Sequence, residues 1–170
     1  RLREEFRQRN VFIENDCNLA ALAEAWKGVG CLEGTLLYLT MGTGIGGGVV
    51  RRGRLLTLGT YGEIEIGHCV VQPGGKSCPC GNQGCLETLC SGPGMSHLAR
   101  EEFGAELDSR QIMEGLRENR PLESSIAEHA ATLIAAPLAA AINTLAPDVV
   151  VFGGGVMEEN AAYLSRIEQR

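Results

Sequence analysis

One histidine and three cysteines, in the string His68-x9-Cys78-x-Cys80-x4-Cys85, constrain this chain more than any other stretch. Three thiols and an imidazole make a closed four-ligand set of the kind that holds structural zinc. The short Cys78-Pro79-Cys80 bite, with Gly81 and Gly84 close by, lets the backbone fold back around an ion. Residues 73–84 carry almost no apolar side chains, so burial cannot hold that loop in place. The competing reading is a set of incidental thiols beside a satisfied core histidine; density and spacing favour the metal. The chain has seven cysteines, an odd number, and Cys17, Cys31, Cys69 and Cys90 sit in apolar or helical settings. That is not the pattern of a small disulfide scaffold, and a reducing, cytoplasmic setting is expected.

The 23 glycines cluster rather than spread. Residues 42–48 (Gly-Thr-Gly-Ile-Gly-Gly-Gly) follow a strand expected at 35–40 and precede Val49-Val50. A glycine tip of this kind offers backbone N–H groups to phosphate oxygens, and Thr43 adds a hydroxyl. No Lys-Ser/Thr follows, so it is not a Walker loop, and no helix follows for a dinucleotide turn. A merely flexible turn stays open as the plain alternative. Gly153-Gly154-Gly155 ends a buried strand expected at 148–152, the carboxyl end at which α/β sheets bind ligands. A close-packed strand-to-helix turn would have the same sequence. The candidate nucleotide contacts are therefore Gly42, Thr43, Gly44 and Gly46, with Gly153, Gly154 and Gly155.

Elsewhere the pattern alternates strand and helix, an α/β order. Residues 1–9 are helix-compatible, 11–13 read as a strand, and 18–26 as an Ala/Leu helix. Asn15 and Asp16 stand where that strand hands over to the helix. Asp16 is a candidate general base kept ionised by the positive helix end, with an N-cap as its competing role. Glu65 and Glu87 flank the cysteine cluster. Val70-Val71 continues the strand-rich part, and residues 85–89 begin a helix. Further helices are expected at 95–103, 109–118, 124–145 and 157–169, with Pro121 as a break and Pro137 as a kink. Residues 129–147 contain no Asp, Glu, Lys or Arg, nearly a membrane-spanning length. Their alanine content, with Thr132, Pro137, Asn143 and Thr144, favours a buried core helix instead. The formal net charge of −6 argues against nucleic acid as a partner of this segment.

Taken in order, Glu14-Asn15-Asp16, residues 42–48, Glu65-Ile66-Gly67-His68, Cys78-x-Cys80-Gly81-Asn82-x-Gly84-Cys85-Leu86-Glu87 and residues 153–155 resemble the ROK family (repressors, open reading frames and kinases). The resemblance implies an actin-like, hexokinase-like (ribonuclease H-like) α/β lobe with a zinc-bound loop at 68–87. It implies that Asp16 takes the proton from a sugar hydroxyl, and that Asn15, Glu65, His68 and Glu87 hold the other hydroxyls. His68 would serve both zinc and sugar; His68, Cys78, Cys80 and Cys85 would be the structural zinc ligands. ATP with Mg²⁺ would bind at the glycine tip and at residues 153–155. The implied activity is ATP-dependent phosphorylation of a hexose or N-acetylhexosamine, in a dimer or tetramer. The family's first phosphate hairpin, Asp-x-Gly-x-Thr, is absent, as are its final helices. Residues 1–170 are accordingly expected to be a C-terminal-lobe fragment, inactive as a kinase alone. Ile64 stands where kinase members usually carry Gly ahead of Glu-Ile-Gly-His, which with Gly75-Lys76 and Leu86-Glu87-Thr88 resembles the repressor branch. A sugar-responsive effector lobe is therefore the second functional expectation.

Overall fold

The computed structural model describes residues 13–57, 64–158 and 160–170. The expected helix over 1–9 and most of the strand at 11–13 lie outside the described residues. The frame is a four-stranded sheet of order β3-β2-β1-β4, with β1 at Thr35–Met41, β2 at Ile45–Arg51, β3 at Arg54–Leu55 and β4 at Val149–Gly153. β1 and β2 form an antiparallel hairpin in the register Met41↔Ile45 to Thr35↔Arg51, and β4 lies parallel to β1 with Thr40 opposite Gly153. Side chains alternate across β1. Leu37, Leu39 and Met41 enter the larger core, while Leu36 and Tyr38 face the other way.

The two faces are covered unequally. On one, among the described residues, lies a single helix, α1 (Asp16–Trp26), whose Ala21 and Ala25 are fully buried against Leu36 and Val50. On the other lie α2 (Leu86–Cys90), α3 (Gly92–Phe103), α4 (Ser109–Arg117), α5 (Pro121–Leu145) and α6 (Ala161–Glu168). The glycines of β2 explain how close α1 sits. A Cβ on Gly48 would stand 2.8 Å from the Ala21 Cβ and 2.9 Å from the Cys17 carbonyl, and one on Gly46 would stand 2.7 Å from the Cys17 sulfur. Residues 46–48 are thus strand, not tip, and the turn between β1 and β2 is only residues 42–44.

Other expectations shift at their edges. α3 begins at Gly92, with Ser91 accepting from the Gly94 N–H and Pro93 in the first turn, where a missing N–H costs nothing. Pro121 likewise opens α5 rather than merely breaking the chain before it. Pro137 lies buried inside that helix. α5 is 25 residues and apolar enough for a membrane by length and composition, yet Ile126, Ala127, Ala130 and Ala131 are fully buried in the core. Residues 154–158 form turns, so α6 starts later than residue 157. Val70 makes one isolated bridge, to Cys85, in place of a strand.

Candidate functional site

The N-terminus of α1 settles a competition between two side chains. Asn15, not Asp16, is the cap: its Oδ1 accepts from the N–H groups of Cys17 (2.7 Å) and Asn18 (3.2 Å). Glu14 buttresses this corner by accepting from Asn15 N (3.0 Å) and from Asn18 Nδ2 (2.9 Å), and the Asn18 contact holds its carboxyl below the usual range. Asp16 is left exposed as the first helical residue, with one oxygen 2.9 Å from the Cys17 N–H. It stands at the positive end of the helix, free to face a ligand.

The cysteine loop closes as its spacing predicts. One ligand atom from each of His68, Cys78, Cys80 and Cys85 lies within 4.8 Å of all the others. Turn bonds shape the loop: Cys78 N donates to Asn82 O (2.9 Å), Gly81 N to Cys78 O (3.0 Å), and both Val71 N and Gln72 N to Gly84 O. Gly84 has φ +75°, and a Cβ there would lie 1.7 Å from the Gln72 carbonyl, so no other residue fits. The backbone N–H of Asn82 holds the Cys80 thiol below its ordinary range, whereas burial pushes Cys85 up to about 12. A bound cation would draw both to the thiolate. The donor set and its convergence fit zinc.

His68 faces two ways. Nδ1 lies 3.5 Å from the Cys78 sulfur, and Nε2 lies 3.7 Å from Glu65 Oε2. The short 3-10 turn Ile66–His68 carries it, pressed so tightly on β2 that a Cβ on Gly67 would lie 2.1 Å from the Ile45 carbonyl. Glu87, on the first turn of α2, reaches the same place from the other side and accepts from Ile45 N at 2.9 Å.

The glycine tip borders a cavity of about 700 Å³ between Gly42 and Thr43 on one side and Ser96, Asp108, Arg110 and Gly155 on the others. A second cavity of about 480 Å³ continues from Ser109 and Arg110 toward Arg117 and Asn160. Arg117 is fixed there by donating to Asn160 Oδ1 at 2.8 Å. All three glycines of residues 153–155 line a further cavity of about 400 Å³, with Phe152, Met157 and Glu158. Gly153 and Gly154 are tightly packed as well: a Cβ would lie 2.2 Å from the Tyr38 hydroxyl in one case and 2.5 Å from the Met41 carbonyl in the other. Gly155 has open space around it and lines the other two cavities too. Gly46 lies in β2 against Cys17, away from the tip itself. Sequence reasoning missed Ser96, which lies within α3, and Ser109 and Arg110, which read locally only as a capped helix start marked by the Asp108–Gln111 capping box.

The ROK family model matches residues 2–170. The chain belongs to the ROK family. Among curated ROK relatives, the glucokinase of Halalkalibacterium halodurans is 36% identical over 182 residues, covering 98% of this chain and 55% of that protein. Among solved structures, the ROK hexokinase from Thermus thermophilus superposes with a TM-score of 0.86 at 38% identity, over 99% of this chain and 58% of that one. A ROK glucokinase from Streptomyces griseus, solved with glucose and AMPPNP, gives 0.83 at 28%, over 98% and 59%. A ROK transcriptional regulator, a homologue of the E. coli MLC protein, gives 0.81 at 28%, over 98% and 45%. The chain spans about half the length of the curated relatives it matches. The actin-like α/β fold of ROK proteins follows from these likenesses.

Proposed function

We propose that this ROK chain is the sugar-binding and second phosphate-binding part of a sugar kinase acting on a hexose or N-acetylhexosamine. The observation that carries the reading is the release of Asp16 from capping by Asn15, on a helix seated against the strand that follows the glycine tip. Asp16 accepts the proton of a sugar hydroxyl as its oxygen attacks the γ-phosphorus; the bond from that phosphorus to the bridging oxygen breaks, and ADP leaves. Asn15 keeps its amide N–H₂ for a neighbouring hydroxyl, while Glu65, His68 Nε2 and Glu87 present acceptors and a ring nitrogen from the metal-braced side. Thr43 and the amides of the tip steady the β- and γ-phosphates, with Mg²⁺ supplying charge neutralisation when bound. Gly155, with Ser109 and Arg110, bounds the remainder of the nucleotide. Zinc on His68, Cys78, Cys80 and Cys85 is structural in this reading, since four protein ligands leave no open position. Kinase relatives of several sugars support it, as does the AMPPNP complex of the Streptomyces protein.

Asp16→Asn in the full-length protein tests the assignment. Turnover is expected to fall by roughly 10²–10⁴-fold with sugar affinity largely kept. Unchanged turnover would remove Asp16 from the role of base. A sugar-responsive regulator is the second reading, favoured by Ile64 and by the likeness to a ROK regulator. Full-length wild-type protein that binds sugar but never consumes ATP would establish it instead.

A further inference from the structure

Three parts of the candidate site meet on the backbone of one residue, Ile45. Its N–H donates to Glu87 Oε2 at 2.9 Å. Its carbonyl faces the turn that holds Glu65 and His68, so closely that a Cβ on Gly67 would lie 2.1 Å from it. The preceding residue, Gly44, closes the tip, and a Cβ there would stand 2.5 Å from the same Glu87 oxygen. The tip is tied down further by Gly42 N donating to Gly44 O (2.9 Å) and Gly92 N donating to Gly42 O (2.7 Å).

We propose that Glu87 is a positioning residue that couples the sugar subsite to the phosphate tip. One carboxylate oxygen is pinned on the Ile45 N–H and the other is presented to the sugar. The inference rests on the sugar-kinase reading and adds a mechanical link within it. A charge-assisted bond to a backbone amide fixes the carboxylate geometry. Sugar affinity and the order of the tip then depend on one contact. Coupling of this kind is reciprocal: sugar tightens nucleotide by the factor with which nucleotide tightens sugar. The glycine at 44 is explained in the same stroke, since its missing Cβ is the space the carboxylate occupies.

The test uses the full-length protein, with glucose and N-acetylglucosamine as probes in calorimetry without nucleotide. Gly44→Ala changes the tip and is expected to weaken sugar binding about tenfold, the scale of one hydrogen bond to a charged group, by displacing Glu87. The Ile45 amide is expected to exchange about tenfold faster in the same variant. Sugar affinity within twofold of wild type in Gly44→Ala would overturn the coupling. If Gly44→Ala fails to fold, Glu87→Gln decides: a raised KM for ATP alongside weaker sugar binding supports the link, and a change in sugar binding alone overturns it. Wild-type protein that binds neither sugar would bring down the sugar-kinase reading itself. Nucleotide effects without sugar effects bring down only the coupling.

Discussion

Single residues show where polar groups in this chain are spent on structure and where they are left for ligands. Asn15 gives its side-chain oxygen to two helix amides, so Asp16 need not. Glu14 supports that corner only as a carboxylate, and its acidity is raised by the Asn18 amide. A depressed carboxyl contributes stability above its ordinary value and loses it as pH falls through the folded one, so the corner should loosen only at pH below the ordinary carboxylate range. Tyr163 is the opposite case. Its ring is fully buried in the main core, and its hydroxyl finds no hydrogen-bond partner among the described residues. Burial drives that phenol well above its usual pKa, so it stays neutral. Tyr163→Phe removes an unsatisfied group while keeping the ring, and should stabilise by about 1 kcal/mol. A melting temperature several degrees lower would show that the hydroxyl does have a partner.

At the scale of elements, β2 is the least conventional piece. Its first half is glycine at three positions running, a poor strand by propensity. The ladder with β1 and the close approach of α1 hold it in place. Gly48→Ala therefore should cost about 1–3 kcal/mol, since the neighbours a Cβ would meet are the Ala21 methyl and the Cys17 and Asn18 backbone, which cannot swing aside. Thermal unfolding of the full-length variant would measure it, and an unshifted transition would mean that α1 rides more loosely on the sheet. α5 illustrates the reverse relation. Its propensity and apolarity suffice for a helix in many settings, and packing against α4 and α6 decides that it serves as the floor of the main core.

For the molecule as a whole, the cysteine loop is a part whose stability cannot come from burial. Among residues 73–84 only Cys78 and Gly84 are buried. A structural zinc supplies on the order of 10 kcal/mol of apparent binding free energy at neutral pH, far more than those contacts. Protein purified without chelator is expected to hold about one zinc per chain by elemental analysis, and a metal-free preparation with native sugar affinity would refute the bracing role. Because the thiols must lose protons to bind, and Cys85 is pushed up to about 12 without a cation, zinc retention should fall as pH is lowered from neutral. The brace also links distant parts, since Leu86 N donates to Cys69 O at 2.9 Å directly beside the ligands. Losing zinc should therefore loosen Glu65, His68 and Glu87 together.

Much of this site was legible along the chain because its parts are local. The four candidate metal ligands lie within 18 residues of one another, Asn15 and Asp16 are adjacent, and a Gly-Thr-Gly turn is recognisable wherever it falls. The alternation of strand and helix was enough for the α/β class, and the order of the motifs for the family. Contacts between segments far apart in sequence were not legible, since no local rule encodes them. Only the fold puts Glu87 on the amide of Ile45, turns one ring nitrogen of His68 to the thiols and the other to Glu65, and sets Ser109 and Arg110 across a cavity from Thr43. It alone sorts the glycines, since whether a missing Cβ makes room for a neighbour or for a ligand depends on what the rest of the chain places beside it. Gly48 and Gly153 serve packing, while Gly155 faces open space.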